Sequence, residues 1–188
     1  GEVVPFAGVV YDLTDRHSVY ASYTSIFQPQ TQRDLNNRIL DPEEGNSYEA
    51  GLKSEFRDGR LNTSVAVFRV DQDNLAEGTG QPIPGGPPNS EAYRAVDGAQ
   101  TNGFELTASG EILPRWQMLA GYTHRVTEDP DGDELNTTSP EEMVRLSTRY
   151  RLSGRFDGLT VGAGVAWQNR IYAFVDRPGQ SGQYKFVQ

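Results

Sequence analysis

Ser47-Tyr48-Glu49-Ala50-Gly51-Leu52-Lys53-Ser54-Glu55-Phe56 sets the fold class of this chain. Tyr48, Ala50, Leu52, Ser54 and Phe56 take every second position, and Glu49, Lys53 and Glu55 fall between them. A period of two puts the sets on opposite faces of a β-strand. At about ten residues, the stretch has the length a tilted strand needs to cross a bilayer. The same alternation returns three times. Phe104, Leu106, Ala108 and Ile112 alternate with Gly103, Glu105, Thr107 and Ser109. Val144, Leu146, Thr148, Tyr150 and Leu152 alternate with Arg145, Ser147, Arg149 and Arg151. Leu159, Val161, Ala163, Val165 and Trp167 alternate with Thr160, Gly162, Gly164, Ala166 and Gln168. Residues 3–13, 17–27, 60–72 and 116–127 read as less regular strands, and a ninth begins near Tyr184. No stretch keeps a helical period, and none approaches the roughly 18 apolar residues of a membrane helix.

The connections alternate in length. Thr14-Asp15-Arg16, Asp58-Gly59, Leu113-Pro114-Arg115 and residues 153–157 are short. Residues 28–46, 73–100, 128–140 and 171–183 are long and rich in Pro, Gly, Asn, Asp and Gln. Asp-Gly between two alternating runs is a hairpin signal. Long amphipathic strands joined by alternating short and long connections describe an antiparallel up-and-down transmembrane β-barrel, with short periplasmic turns and long outer loops. Phe27, Tyr48, Gln72, Thr127, Pro140 and Tyr172 then lie near the outer rim. A soluble sandwich with one wet face alternates too, but its strands are shorter, about 5–6 residues. The starting Gly1 and the strand-like ending are expected of part of a longer chain.

Composition removes other classes. The 188 residues contain no Cys, which excludes disulfide scaffolds, Cys-ligated zinc and thiol catalysis. A net charge of -9 argues against nucleic acid as a partner. His17 beside a turn and His124 on a strand do not form a metal pair, and no Gly-x-Ser-x-Gly elbow exists, so an enzyme is not expected. Asp129-Pro130-Asp131-Gly132-Asp133-Glu134 begins like a calcium loop, but Gly stands fourth instead of sixth and Pro140 holds the twelfth place. It reads as a solvated acidic loop, and no metal site is expected. Gly158, Gly162 and Gly164 read as strand glycines that keep the wall open, not as a nucleotide fingerprint. On the barrel reading the apolar set meets lipid. Glu49, Lys53, Glu55, Glu105, Arg145, Arg149, Arg151 and Gln168 face the lumen, where Lys53 is expected to pair with Glu49 or Glu55.

Several linked motifs carry a resemblance. Residues 19–30 (VYASYTSIFQPQ), residues 40–53 (LDPEEGNSYEAGLK), Asp58-Gly59-Arg60-Leu61-Asn62 and residues 68–76 (FRVDQDNLA) stand in order. Gly103-Phe104-Glu105-Leu106, Gly121-Tyr122-Thr123 and residues 158–168 (GLTVGAGVAWQ) follow. Over nearly the whole chain these resemble TonB-dependent ferric-siderophore receptors of the hydroxamate, pyoverdine and coprogen type.

That resemblance implies a 22-stranded outer-membrane barrel with an N-terminal plug, energised by TonB. Residues 1–188 would supply about eight to nine strands of the barrel domain, without the plug, the TonB box or the closing strands. Iron would arrive inside a siderophore, so no cofactor or protein metal ligand is implied. The partners implied are the ferric siderophore, TonB, outer-membrane lipid and lipopolysaccharide. The ligand-contact candidates are the rim aromatics Phe27, Tyr93, Tyr172 and Phe174, the loop arginines Arg33 and Arg94, and Gln30. The alternative in another class is a structural or adhesive surface β-domain that binds glycans or proteins; a soluble domain of that kind would need no detergent.

Overall fold

The computed structural model describes residues 3–87, 90–135, 139–175 and 183–187. Eight strands form one antiparallel sheet: β1 (Phe6–Thr14), β2 (His17–Gln28), β3 (Glu43–Phe56), β4 (Leu61–Asp73), β7 (Ala99–Leu113), β8 (Trp116–Glu128), β9 (Glu142–Arg151) and β10 (Thr160–Gln168). Their spatial order is β1-β2-β3-β4-β7-β8-β9-β10, so every neighbour in the sheet is the next long strand along the chain. Two hairpins stand apart: β5 (Leu75–Pro82) with β6 (Glu91–Val96), and β11 (Ile171–Val175) with β12 (Gln183–Val187).

Register keeps the two faces separate across the sheet. Tyr11, Val19, Leu52, Val65, Leu106, Tyr122, Val144 and Trp167 form one continuous cross-strand row. Lys53, Ser64, Thr107, Gly121, Arg145 and Ala166 form the adjacent row on the other face. A slip of one residue in any strand would exchange its faces. The apolar face is left open: Val65, Val67, Val161, Val165 and Trp167 are each roughly half exposed, and no large side chain is fully buried among the described residues. A contiguous bare apolar surface of this kind belongs against lipid or another partner, not water.

The aromatic edge of that face does not follow one row. Tyr23 pairs with Tyr48, in a row that runs on to Arg69 and Asn102. Farther along the sheet, Trp167 ends the apolar run four rows nearer the short turns, in the row of Leu52. The apolar band therefore crosses the ladder obliquely, which is the signature of strands tilted against the membrane normal.

Glycines on the polar face take the rings opposite them. Gly51 pairs with Tyr20 and Gly103 with Phe68. A Cβ on Gly51 would lie 2.5 Å from the Tyr20 ring, and one on Gly103 would run into Phe68. Lys53 places its Nζ 4.7 Å from the centre of the same Tyr20 ring, while the Tyr20 hydroxyl donates to Glu49 at 2.5 Å. The expected ion pair of Lys53 with Glu49 or Glu55 is not made. The ring lies between lysine and carboxylate, and cation–π attraction takes the place of the ion pair.

Four local expectations are corrected. Residues 73–100 are not one irregular loop: β5 and β6 pair within them, because Leu75, Ala92 and Val96 bury their side chains at the hairpin. The strand at the C-terminal end, β12, joins β11 instead of extending the eight-stranded sheet. Gly158 lies in the turn before β10, with φ +95°, not within the strand. Ile112, read in phase with Phe104, falls where the β7–β8 register shifts between Glu111 and Leu113. Gly110, at φ +129°, supplies the bend just before it. The short turn at Arg57-Asp58-Gly59 is left-handed at all three residues, so the Asp-Gly signal marked a real reversal.

Val65→Arg, in the middle of the apolar face, should destabilise the protein by roughly 2–4 kcal/mol. Ser22→Arg, opposite Glu49 on the polar face, should stay within about 0.5 kcal/mol. Urea unfolding of the protein reconstituted in phospholipid vesicles distinguishes the two, and equal costs would reverse the facing.

Candidate functional site

The polar face and the loops at one end of the sheet hold the candidate residues. Glu49, Lys53, Glu55, Glu105, Arg145, Arg149 and Gln168 all fall on the polar face by register. Glu49, Glu105, Phe68, Thr123 and Arg125 line a wide-mouthed depression of about 440 Å³ on this face. A second, of about 350 Å³, lies toward the short turns and is lined by Lys53, Glu55, Asn62 and Thr107.

The loop residues form a braced platform. The segment between β2 and β3 folds back at Asp34, whose carboxylate accepts the backbone N–H groups of Asn36 and Arg38, each at 2.8 Å. The bond from Arg38 leads in holding the Asp34 carboxyl below its ordinary range. Arg33 donates through Nη1 to the Asn37 carbonyl at 2.8 Å, which closes the same tip. This tip then docks on β6: the N–H of Tyr93 donates to the Arg33 carbonyl at 2.8 Å. Burial, with Glu91 nearby, raises the Tyr93 phenol above its ordinary value. Gln30 ties two separate loops by donating through Nε2 to the carbonyls of Asp41 and Asn74, both at 2.7 Å. Asn74 returns a bond to the Pro42 carbonyl at 3.1 Å. Its own φ of +58° is one that asparagine tolerates.

These contacts sort the ligand candidates. Arg33 and Tyr93 are brought together by backbone pairing, and exposed Arg94 is next to them on β6, opposite Glu77. Gln30 spends its amide inside the platform, so it braces the loops. Phe27 pairs with Glu44 on the face of Tyr23 and Tyr48, away from the polar face, where it extends the aromatic edge. Tyr172 is 40% exposed on β11, which runs close to β5. Phe174 belongs to β11 and pairs with Tyr184, and its side chain lies outside the described residues. Asn74, Asp34 and Tyr20 were not singled out from the sequence. The left-handed tolerance of Asn is the sequence signal that could have marked Asn74.

The acidic loop between β8 and β9 is a built turn. Asp129 accepts the N–H groups of Asp131 and Asp133 at 3.0 and 2.9 Å. Leu135 is buried, and its N–H donates to the Thr127 carbonyl at 2.8 Å. Glu134 shares a hydrogen bond with Glu141, near Glu128; that bond first, then burial and the like charges, pushes its carboxyl up to about 7. One proton is thus shared between two carboxylates. Among the described residues, no cluster of His, Cys, Asp and Glu has the geometry to hold a metal ion.

The family model described as "TonB dependent receptor-like, beta-barrel" matches residues 1–186. The ferric-pyoverdine 358 receptor of Pseudomonas putida is 49% identical over 172 residues, 90% of this chain and 21% of that protein. The ferripyoverdine receptor of Pseudomonas aeruginosa is 43% identical over 192 residues, 100% of this chain and 23% of that protein. The chain thus spans under a quarter of the length of these curated relatives. The crystal structure of the P. aeruginosa receptor bound to ferripyoverdine superposes with a TM-score of 0.76 at 41% identity, over 98% of this chain and 25% of that one. The alcaligin outer-membrane receptor of Bordetella pertussis gives 0.67 at 51% identity, over 88% of this chain and 29% of that one.

Two measurements check the loops. Gln30→Ala should speed amide exchange in residues 29–42 and 74–80 together, because both carbonyls lose one donor. Exchange confined to one loop would show that they are not braced as a unit. The raised Glu134 carboxyl favours the protonated form in the fold, so its contribution is complete below about 4.5 and is lost as pH rises through about 7. Protection of the Leu135 amide, corrected for intrinsic exchange, should fall across that window, and Glu134→Gln should flatten the curve.

Proposed function

The chain belongs to the TonB-dependent receptor β-barrel family, and on that premise we propose that it forms wall strands and outer loops of an outer-membrane receptor for a ferric siderophore. Its relatives are receptors, and the reading extends theirs to this protein: the cargo is a ferric chelate of the pyoverdine kind, and uptake draws on TonB. Residues 1–188 act as one part of the barrel domain. The apolar face meets lipid and lipopolysaccharide, and the polar face lines the lumen. The wall supplies shape, solvation and selectivity, and makes or breaks no bond. Iron enters as cargo inside its chelator.

One observation carries the reading. Eight long strands hold a single register in which one face is bare and apolar and the other polar and charged. A soluble surface domain would hide such an apolar face in a second layer. In a bilayer it needs no cover, because every interior strand satisfies its backbone against two neighbours. The braced loops then stand at one mouth of the wall. Arg33, Tyr93 and Arg94 offer guanidinium and phenol groups to an anionic chelate there, with Tyr172 and Phe174 on the adjoining hairpin. Glu49 and Lys53 are held by Tyr20 and serve the wall.

Cells that express the full-length receptor should bind and import ferripyoverdine loaded with radioactive iron. Import should cease in a strain without TonB while surface binding persists. Absence of saturable binding would overturn the cargo, and import independent of TonB would overturn the energy source. Arg94→Ala should weaken binding by about tenfold, as expected for one lost charge-assisted contact.

A further inference from the structure

The polar face is divided by charge. On β3 and β7 it carries Glu49, Glu55, Glu105 and Glu111, with Lys53 as the cation among them. On β8, β9 and β10 none of the described residues of this face is acidic, and four are arginines: Arg125, Arg145, Arg149 and Arg151. In a chain of net charge -9 this is a marked local reversal.

The arginines form a ladder along the strands. Arg145 and Arg149 are separated by about 13 Å of strand rise on β9. Arg125 lies level with Glu141, to whose carbonyl its N–H donates at 2.8 Å. It therefore stands one similar step above Arg145. Arg151 continues the line downward. Beside the ladder the wall is low: Arg145 is opposed by Gly121 and Ala166, and Arg149 by Gly162. A Cβ on Gly121 would meet nothing within 4 Å. Gly121 and Ala166 thus leave an open floor beside Arg145, while the Arg149 guanidinium rests on Gln117 across from Gly162.

The partners of Arg145 and Arg149 leave their charge available, whereas Arg125, at the top of the line, shares one depression with Glu49 and Glu105 and another with Glu134 and Glu141. Arg149 donates to Gln117 Oε1, a neutral acceptor, at 3.1 and 2.5 Å. Arg151 lies 3.8 Å from Asp157, a carboxylate that Arg115 also approaches at 3.2 Å. No described carboxylate stands within ion-pair distance of Arg125, Arg145 or Arg149.

We propose that this strip is a binding track for an anionic iron chelate on its way through the lumen. The inference rests on the receptor reading above and deepens it by naming a path on the wall. Arginine stays charged at any working pH, and its planar fork matches carboxylate oxygens. A water-filled passage with low-dielectric walls focuses the field of such a strip. Each rung alone binds weakly in water, and the next is one ligand length away, so the cargo is passed along without being trapped. The glutamates of β3 and β7, beside the strip on the same face, repel the same ligand and keep it to this side.

The chain contains no Cys, so Ala166→Cys places one thiol of this segment on the floor of the strip. In the full-length receptor, without other accessible thiols, its reaction with anionic sulfonatoethyl methanethiosulfonate is compared with that of the cationic trimethylammonium reagent. Each rate is normalised to the free thiol. The anionic reagent should be favoured on the order of tenfold. Arg145→Gln with Arg149→Gln should abolish the preference, and the double Lys variant should keep it. No preference overturns the proposal, as does a thiol closed to both reagents, which would mean that a protein segment covers the strip. Ferripyoverdine import should fall several-fold in the Gln variant with surface affinity unchanged, and unchanged import overturns the track. If the unmodified receptor imports nothing, the receptor reading fails on its own, and the thiol rates still decide whether the strip gathers anions.

Discussion

Every feature of this protein depends on the antiparallel backbone ladder and the register it enforces. A strand inside a bilayer has no water to satisfy its N–H and C=O groups, so each must bond to a neighbouring strand. Once the neighbours are set, direct cross-strand partners share a face. A row begun at Tyr11 on β1 must therefore emerge at Trp167 on β10, with Leu52, Leu106 and Val144 between. The energetic weight behind that row is large. A slip of one residue in β9 alone would turn Arg145, Arg149 and Arg151 toward lipid, at roughly 2–4 kcal/mol each near mid-depth.

The ladder also explains where the protein has a core and where it has none. Among the described residues, the membrane strands bury almost nothing large, because lipid and lumen replace the two layers of a soluble domain. The buried apolar cluster is Leu75, Val96, Ala99 and Leu135, where β5, β6, the start of β7 and the acidic loop meet. Outside the bilayer, water competes for every backbone group, and the loops need a small core and internal bonds of their own. Gln30, Asn74 and Asp34 provide those bonds, and the ligand candidates Arg33 and Tyr93 are held by them.

The two sides of the polar face divide the labour. The acidic side is organised by Tyr20, which fills the notch at Gly51 and holds Glu49 and Lys53 at once. The arginine side is organised by the absence of bulk at Gly121, Gly162 and Ala166. The same residue type, glycine, admits a ring in one place and leaves space in the other. The pairing partner decides which: an aromatic side chain faces Gly51 and Gly103, whereas Thr107 and Arg145 flank Gly121.

The strands and their faces were legible in the residues because a period of two is a local property. Tyr48 through Phe56 declare their alternation without reference to any other part of the chain. The turns were legible for the same reason, since Asp58-Gly59 carries its own backbone preference. The hairpin β5–β6 was hidden because Pro, Gly and Asn dominate residues 80–90, and its pairing depends on burial of Leu75 and Val96 against segments distant in sequence. The roles of Gln30 and Phe27 were hidden likewise: a glutamine amide has no preference until Asp41 and Asn74 present their carbonyls, and an aromatic at the rim takes its face from its partner, Glu44. The sequence by itself determined the eight long strands and which of their residues share a face, since alternation and turn chemistry are written in neighbouring residues, and its linked motifs carried the family resemblance. Only the tertiary structure decided which charges meet, which loops brace one another and where the arginines align. Those outcomes depend on register between strands, and register is a relation among residues that the chain alone does not place side by side.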